Sequence, residues 1–177
     1  MSNILDLVKH FESLHDGDLK AIGLQPKLCP AGFWTIGYGH VVIDPTTFKA
    51  LTWKTPYKDV VKFSLTDEAE ALALLEIDFN KYRLHVKALV NPAINMTKYE
   101  EDALTSFCYN VGVGSLKSST LLRLLNKGDR KGASLEFLKW CKAKDPKTGA
   151  MITLKGLERR RKSEKYFFET GSFKSFT

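Results

Sequence analysis

Apolar residues at Ile4, Leu7, Val8, Phe11 and Leu14 recur three and four positions apart, the spacing of one face of an amphipathic helix. The pattern stops at Asp16-Gly17-Asp18, a turn-rich stretch. From Leu24 to about Phe48 the texture changes. Pro26, Pro30, Gly32, Gly37, Gly39 and Pro45 punctuate β-branched and aromatic residues, which predicts a small twisted sheet or hairpin rather than helix. Beyond Leu65 the three-four alternation returns at Leu72, Leu75, Phe79, Tyr82 and Val86. It predicts one helix of roughly 25 residues, which Asn91-Pro92 ends because a residue before proline is held out of the helical region.

A further helix opens at Thr97, where Thr97 and Glu100 match a capping box. Ala103, Leu104, Phe107, Cys108 and Val111 form its buried stripe, and Gly112 and Gly114 stop it. Shorter helices are expected at 116–127, 130–142 and 155–168. With no repeat and no flexible linker, the fold class is α+β and mostly helical. The organisation expected is one domain over 1–177: an N-terminal helix plus small sheet lobe (1–64), a connecting helix (65–90) and a helical lobe (91–177).

A chain of 177 residues that is 44% hydrophobic is long and apolar enough to bury a core, which excludes disorder. No apolar run approaches the ~20 residues that span a bilayer. The start, Met1-Ser2-Asn3-Ile4-Leu5-Asp6, lacks the basic and apolar regions of a signal peptide, so the chain is expected to stay in the cytoplasm of the cell that makes it. Cys29, Cys108 and Cys141 form neither a disulfide framework nor a zinc pattern; free thiols and no metal or cofactor are expected. The net charge of +7 is uneven. Residues 139–165 hold ten Lys or Arg against three Asp or Glu, a patch suited to polyanions such as nucleic acid, an anionic membrane or the anions of a bacterial envelope.

Two features carry candidate chemistry. Glu12 follows Phe11 on the edge of the first apolar stripe, where desolvation moves a carboxyl toward general-acid range; the alternative is an ordinary solvated glutamate. The second is Cys29-Pro30-Ala31-Gly32-Phe33-Trp34-Thr35-Ile36-Gly37-Tyr38-Gly39-His40. Extended, this run places Phe33, Thr35, Gly37 and Gly39 on one face and Trp34, Ile36, Tyr38 and His40 on the other. Glycines alternating on one face admit a ligand to the backbone, with the Thr35 hydroxyl beside it; the alternative is a hairpin packed against the core.

This stretch resembles the catalytic lobe of the phage-type lysozymes. That family spaces a Glu, eight residues, an Asp (Cys in some members), five residues and a Thr. Cys29 and Thr35 keep the five-residue spacing, whereas sixteen residues separate Glu12 from Cys29, an insertion of about eight between His15 and Pro26. Ser13 also stands where the family usually has Gly. Further similar blocks follow in order: Leu65-Thr66-Asp67-Glu68-Ala69 through Asp78; Asp102-Ala103-Leu104-Thr105-Ser106-Phe107 with Asn110-Val111-Gly112; Ser118-Ser119-Thr120-Leu121-Leu122-Arg123; and Gly156-Leu157-Glu158-Arg159-Arg160-Arg161 with Glu164.

The resemblance implies a lysozyme-like two-lobe fold. It also implies an endolysin that hydrolyses the β-1,4 bond between N-acetylmuramic acid and N-acetylglucosamine in peptidoglycan. It implies Glu12 as general acid, Thr35 as water-positioning hydroxyl and Cys29 in the Asp position. A thiol of ordinary pKa, ~8.5, is mostly protonated at neutral pH. Cys29 therefore acts as thiolate base or as a polar water-orienting group, or else Asp16 or Asp18 of the insertion supplies the second carboxylate. Tyr109, Asn110 and Ser119 fall where the family binds substrate, with core packing the alternative for Tyr109. His40 matches an ion-pair partner for an acid on the long helix, Glu76 or Asp78. The implied partners are peptidoglycan glycan strands, anionic envelope components at the basic C-terminal region and a holin for export, with the enzyme a monomer that acts on the wall at lysis. The rival readings are a lytic transglycosylase, which forms an anhydro end without water, and a basic nucleic-acid-binding protein, for which no recognition motif is present.

Overall fold

Helix α1 (Ile4–Glu12) forms where the apolar spacing predicts and buries Ile4, Leu7, Val8 and Phe11. The computed structural model describes residues 4–12, 23–29, 31–144 and 148–176. The chain divides into two compact units, one of Glu12–Asp78 and the other of Met1–Phe11 with Phe79–Thr177. Residues up to Phe11 join the helical unit, apart from the expected lobe of residues 1–64. There the Arg160 guanidinium lies 5.9 Å from the Phe11 ring centroid and Phe173 lies 5.7 Å from the His10 ring. Nine residues of helix cannot stand alone in water, so α1 depends on this packing.

The Glu12–Asp78 unit is built on the antiparallel strands β1 (Gly23–Leu28), β2 (Trp34–Gly37) and β3 (His40–Val41), in that order. Thr35 opposes Val41 and Ile36 opposes His40. The run from Phe33 to His40 is not a single extended strand: the chain reverses through Gly37-Tyr38-Gly39, where both glycines take positive φ (58° and 92°). Such backbone favours glycine and makes the tight hairpin possible. Trp34 and Ile36 do share a face, packed with Val42, Val60, Leu51, Phe63, Leu65 and Leu74. Bridges between Phe33 and Thr52 and between Ile43 and Ala50 continue the pairing outward. Helix α2 (Tyr57–Val60) runs into a 3-10 turn and covers this cluster.

Helix α3 (Glu68–Leu89) starts slightly later than the pattern suggests. The Asp67 carboxylate accepts the Glu70 N–H (3.0 Å) while the Glu70 carboxylate accepts the Thr66 N–H (2.7 Å), satisfying end donors that would otherwise lack partners. In the other unit, helix α4 (Lys98–Val111) has the predicted reciprocal capping box of Thr97 and Glu100. From Asp102 to Cys108 it is buried on every side, as suits a core helix packed against α8 (Lys155–Thr170). Gly112 ends α4 as expected. Gly114 does not stop the chain but lies within α5 (Val113–Ser118), followed by α6 (Thr120–Leu125) and α7 (Arg130–Glu136). The helix expected over 130–142 ends early, and β4 (Lys142–Lys144) pairs with β5 (Met151–Thr153) in a hairpin that no local pattern predicts. No helix among the described residues is long and apolar enough to cross a membrane.

Candidate active site

The register of the first hairpin decides where Cys29 and Thr35 sit. Lys27 opposes Thr35 and Leu28 opposes Trp34. One step further the Cys29 N–H donates to the Phe33 carbonyl at 2.8 Å, so the pairing continues into the turn. Because side chains alternate across the pleat, Lys27, Cys29, Phe33 and Thr35 share the face opposite Trp34 and Ile36. Cys29 is therefore the diagonal neighbour of Thr35, a relation that spans roughly 7–8 Å in such ladders. Both residues are half-buried, and the Thr35 hydroxyl donates to the Lys27 carbonyl at 3.2 Å.

The turn that carries Cys29 is closely held. The Gly32 N–H donates to the Cys29 carbonyl at 2.8 Å, and the Trp53 N–H donates to the Gly32 carbonyl at 2.9 Å. Gly32 has φ +83°, and a Cβ there would stand 3.2 Å from Trp53 Cδ1. Both the backbone conformation and the indole select glycine.

Glu12 is the last residue of α1 and is half-buried. The alternative carboxylates Asp16 and Asp18 lie outside the described residues. His40 Nδ1 lies 2.7 Å from Asp78 Oδ2, which chooses Asp78 over the exposed Glu76 as the acid on α3. Tyr38, expected in a strand, lies in the turn after β2; it is 4% exposed, and its hydroxyl donates to Glu68 Oε1 at 2.9 Å. Burial, then the Glu68 hydrogen bond and charge, hold its phenol far above the ordinary range, so it stays neutral. No periodicity signals this anchor.

In the helical unit, Tyr109 is half-buried and stacks edge-on against Tyr82 with centroids 5.2 Å apart. The Asn110 Oδ1 accepts from Arg161 Nη2. Ser119 is 5% exposed; its hydroxyl donates to the Leu116 carbonyl (2.7 Å) and accepts from the Leu122 N–H (3.0 Å). It caps α6, which occupies the hydroxyl within the fold. The basic run also divides. Arg160 and Arg161 are buried on Glu164, whereas Lys142, Lys144 and Lys155 are exposed. Among the described residues no group of three or more His, Cys, Asp or Glu is disposed to hold a metal ion.

The Phage lysozyme family model matches residues 18–164, a span that includes Cys29, Thr35, Tyr109, Asn110 and Ser119 and begins after Glu12. The chain is 36% identical over 168 residues to the endolysin of Acyrthosiphon pisum secondary endosymbiont phage 1, covering 94% of each. It is 35% identical over 171 residues to the endolysin of Bacillus phage B103, covering 97% of this chain and 54% of that one. Among solved structures it resembles the endolysin from Escherichia coli O157:H7 phage FAHEc1, with TM-score 0.74 and 26% identity over 97% of this chain and 94% of the other. It also resembles the muramidase domain of SpmX from Asticaccaulis excentricus, with TM-score 0.71 and 29% identity over 94% and 95% of the two chains.

Proposed function

The chain belongs to the phage lysozyme family, and from that premise we propose a mechanism in which Glu12 protonates the glycosidic oxygen while Cys29 and Thr35 govern the attacking water. The activity is that of a lysozyme, a glycoside hydrolase cutting the β-1,4 bond between N-acetylmuramic acid and N-acetylglucosamine in peptidoglycan. Such hydrolysis needs one group to donate a proton to the leaving oxygen and a second to act on water or on the anomeric carbon. What supports the assignment is the shared outward face of Cys29 and Thr35, with the sheet's other face committed to the core. A hydroxyl that already donates to the Lys27 carbonyl keeps lone pairs with which to orient water.

Tyr109 and Asn110 are the proposed glycan contacts of the helical unit, without Ser119, whose hydroxyl is spent as a cap. The exposed Lys142, Lys144 and Lys155 supply attraction to envelope anions. The enzyme acts as a monomer, waits in the host cytoplasm and reaches the wall through a holin pore. Water-orienting Thr35 favours hydrolysis over transglycosylation. Mass spectrometry of muropeptides released from purified peptidoglycan tests this: hydrolysis leaves reducing muramic ends, and anhydro-muramic ends in their place would overturn it.

A further inference from the structure

Trp53 supports the turn that holds Cys29, yet it remains 66% exposed. One edge of its indole lies beside Gly32, where Cδ1 would stand 3.2 Å from a Cβ added to that residue, and the Trp53 N–H donates to the Gly32 carbonyl. The Lys54 ammonium lies 5.7 Å from the ring centroid. An indole with most of its surface in water forgoes the burial that ordinarily stabilises a residue of its size.

The substrate class supplies a matching chemistry. A pyranose in β-1,4 linkage presents an apolar face of C–H groups that stacks on an aromatic ring, and muramic acid carries a lactyl carboxylate. We propose that Trp53 and Lys54 form a glycan-binding subsite beside the Cys29 turn, Trp53 stacking under a sugar ring and Lys54 pairing with the muramyl carboxylate. This rests on the peptidoglycan reading above and extends it to two residues outside the proposed catalytic set. Phe48 is 82% exposed at the tip of a separate turn, closed by the Asp44 N–H on the Lys49 carbonyl at 2.9 Å, and serves as the control aromatic.

The test is calorimetric binding to the full chain carrying Glu12→Gln, with two ligands. One is a peptide-free tetrasaccharide alternating N-acetylglucosamine and N-acetylmuramic acid; the other is chitotetraose, which lacks the carboxylate. Trp53→Ala should weaken both about tenfold, the scale of a lost stacking contact with its buried area, and Trp53→Phe should recover most of the loss. Lys54→Gln should weaken the muramyl ligand about threefold, the scale of one exposed ion pair, and spare chitotetraose. Phe48→Ala should change neither. Because Trp53→Ala also loosens the turn, a second measurement keeps the side chain: saturating tetrasaccharide should shield Trp53 from N-bromosuccinimide, read by peptide mass spectrometry. Unshielded Trp53, or affinities within twofold for Trp53→Ala, overturns the subsite. An equal loss in Phe48→Ala overturns its specificity, and an equal effect of Lys54→Gln on both ligands overturns the carboxylate pairing. Failure of the chain with Trp53 intact to bind either sugar overturns the glycan reading and the subsite with it.

Discussion

His40 Nδ1 and Asp78 Oδ2 stand 2.7 Å apart, joining the first residue of β3 to the body of α3. Both side chains are mostly shielded, at 20% and 15% exposure. Asp78→Ala leaves a shielded imidazole without this partner and should cost ~1–3 kcal/mol. Urea denaturation measures it, and a double-mutant cycle with His40→Ala should show coupling between the two. Additive effects would remove this tie from the account of the unit's stability.

Glu164 should be the more sensitive carboxylate. It is fully buried, accepting from Arg161 Nη1 at 2.7 Å, Arg160 Nε at 3.1 Å and the Ser106 hydroxyl at 2.8 Å. Glu164→Gln leaves two guanidinium groups in the core with their shared anion gone, a loss of ~3–5 kcal/mol. An unfolding midpoint equal to that of the parent protein would contradict it.

Glu12→Gln keeps the shape of the side chain and cannot donate the proton. Hydrolysis of purified peptidoglycan should fall ~10²–10⁴-fold with the circular dichroism spectrum unchanged. A folded variant of near-normal rate removes Glu12 from the mechanism.

For Cys29 the expectation is that Cys29→Asp retains activity while Cys29→Ala and Thr35→Ala each lose much of it. A thiol-blocking reagent should inhibit, with glycan fragments protecting. Cys108 is fully buried and its thiol is pushed up to about 11 by that burial, so it should resist the reagent. Cys141 is half-buried like Cys29, so a Cys141→Ser background isolates the effect. Full activity in Cys29→Ala, with loss in Asp16→Asn or Asp18→Asn, would transfer the role to the insertion.

His10 should make the fold sensitive to mild acid. Burial first, and then the Arg159 charge, lower its pKa below the ordinary 6.5. The imidazole contacts the rings of Phe11 and Phe173 and the Ser175 hydroxyl. The folded state thus binds fewer protons than the unfolded one between the lowered value and 6.5. Stability is complete above about 6.5 and declines as pH falls through that window. His10→Gln should have a flatter melting temperature from pH 7 to 5 than the parent; parallel curves would exclude the contribution.

Local rules sufficed where one segment carries its own instructions. The capping box of Thr97 and Glu100 and the apolar spacing of α1 and α3 are short-range properties, and each helix appears close to its expected place. The spacing of Cys29 and Thr35 is legible only through the family resemblance. The β4–β5 hairpin was not legible, because its residues are largely exposed and so have no buried face to impose a period of two.

The sequence by itself therefore determined the helical character and the small sheet, since periodicity, caps and turn residues act over a few positions, while the candidate residues came from the family resemblance. Only the tertiary structure decided which side chains meet. Tyr38 turns inward because its partner, Glu68, waits thirty residues away on α3. Arg160 and Arg161 leave the charged surface because Glu164, itself held by the Ser106 hydroxyl, receives them inside. Cys29 and Thr35 share a face because the hairpin pairs Lys27, rather than Leu28, with Thr35. A register shifted by one residue would reverse the facing of one strand relative to the other while leaving every local signal intact, and only packing of the Trp34 and Ile36 face distinguishes the two.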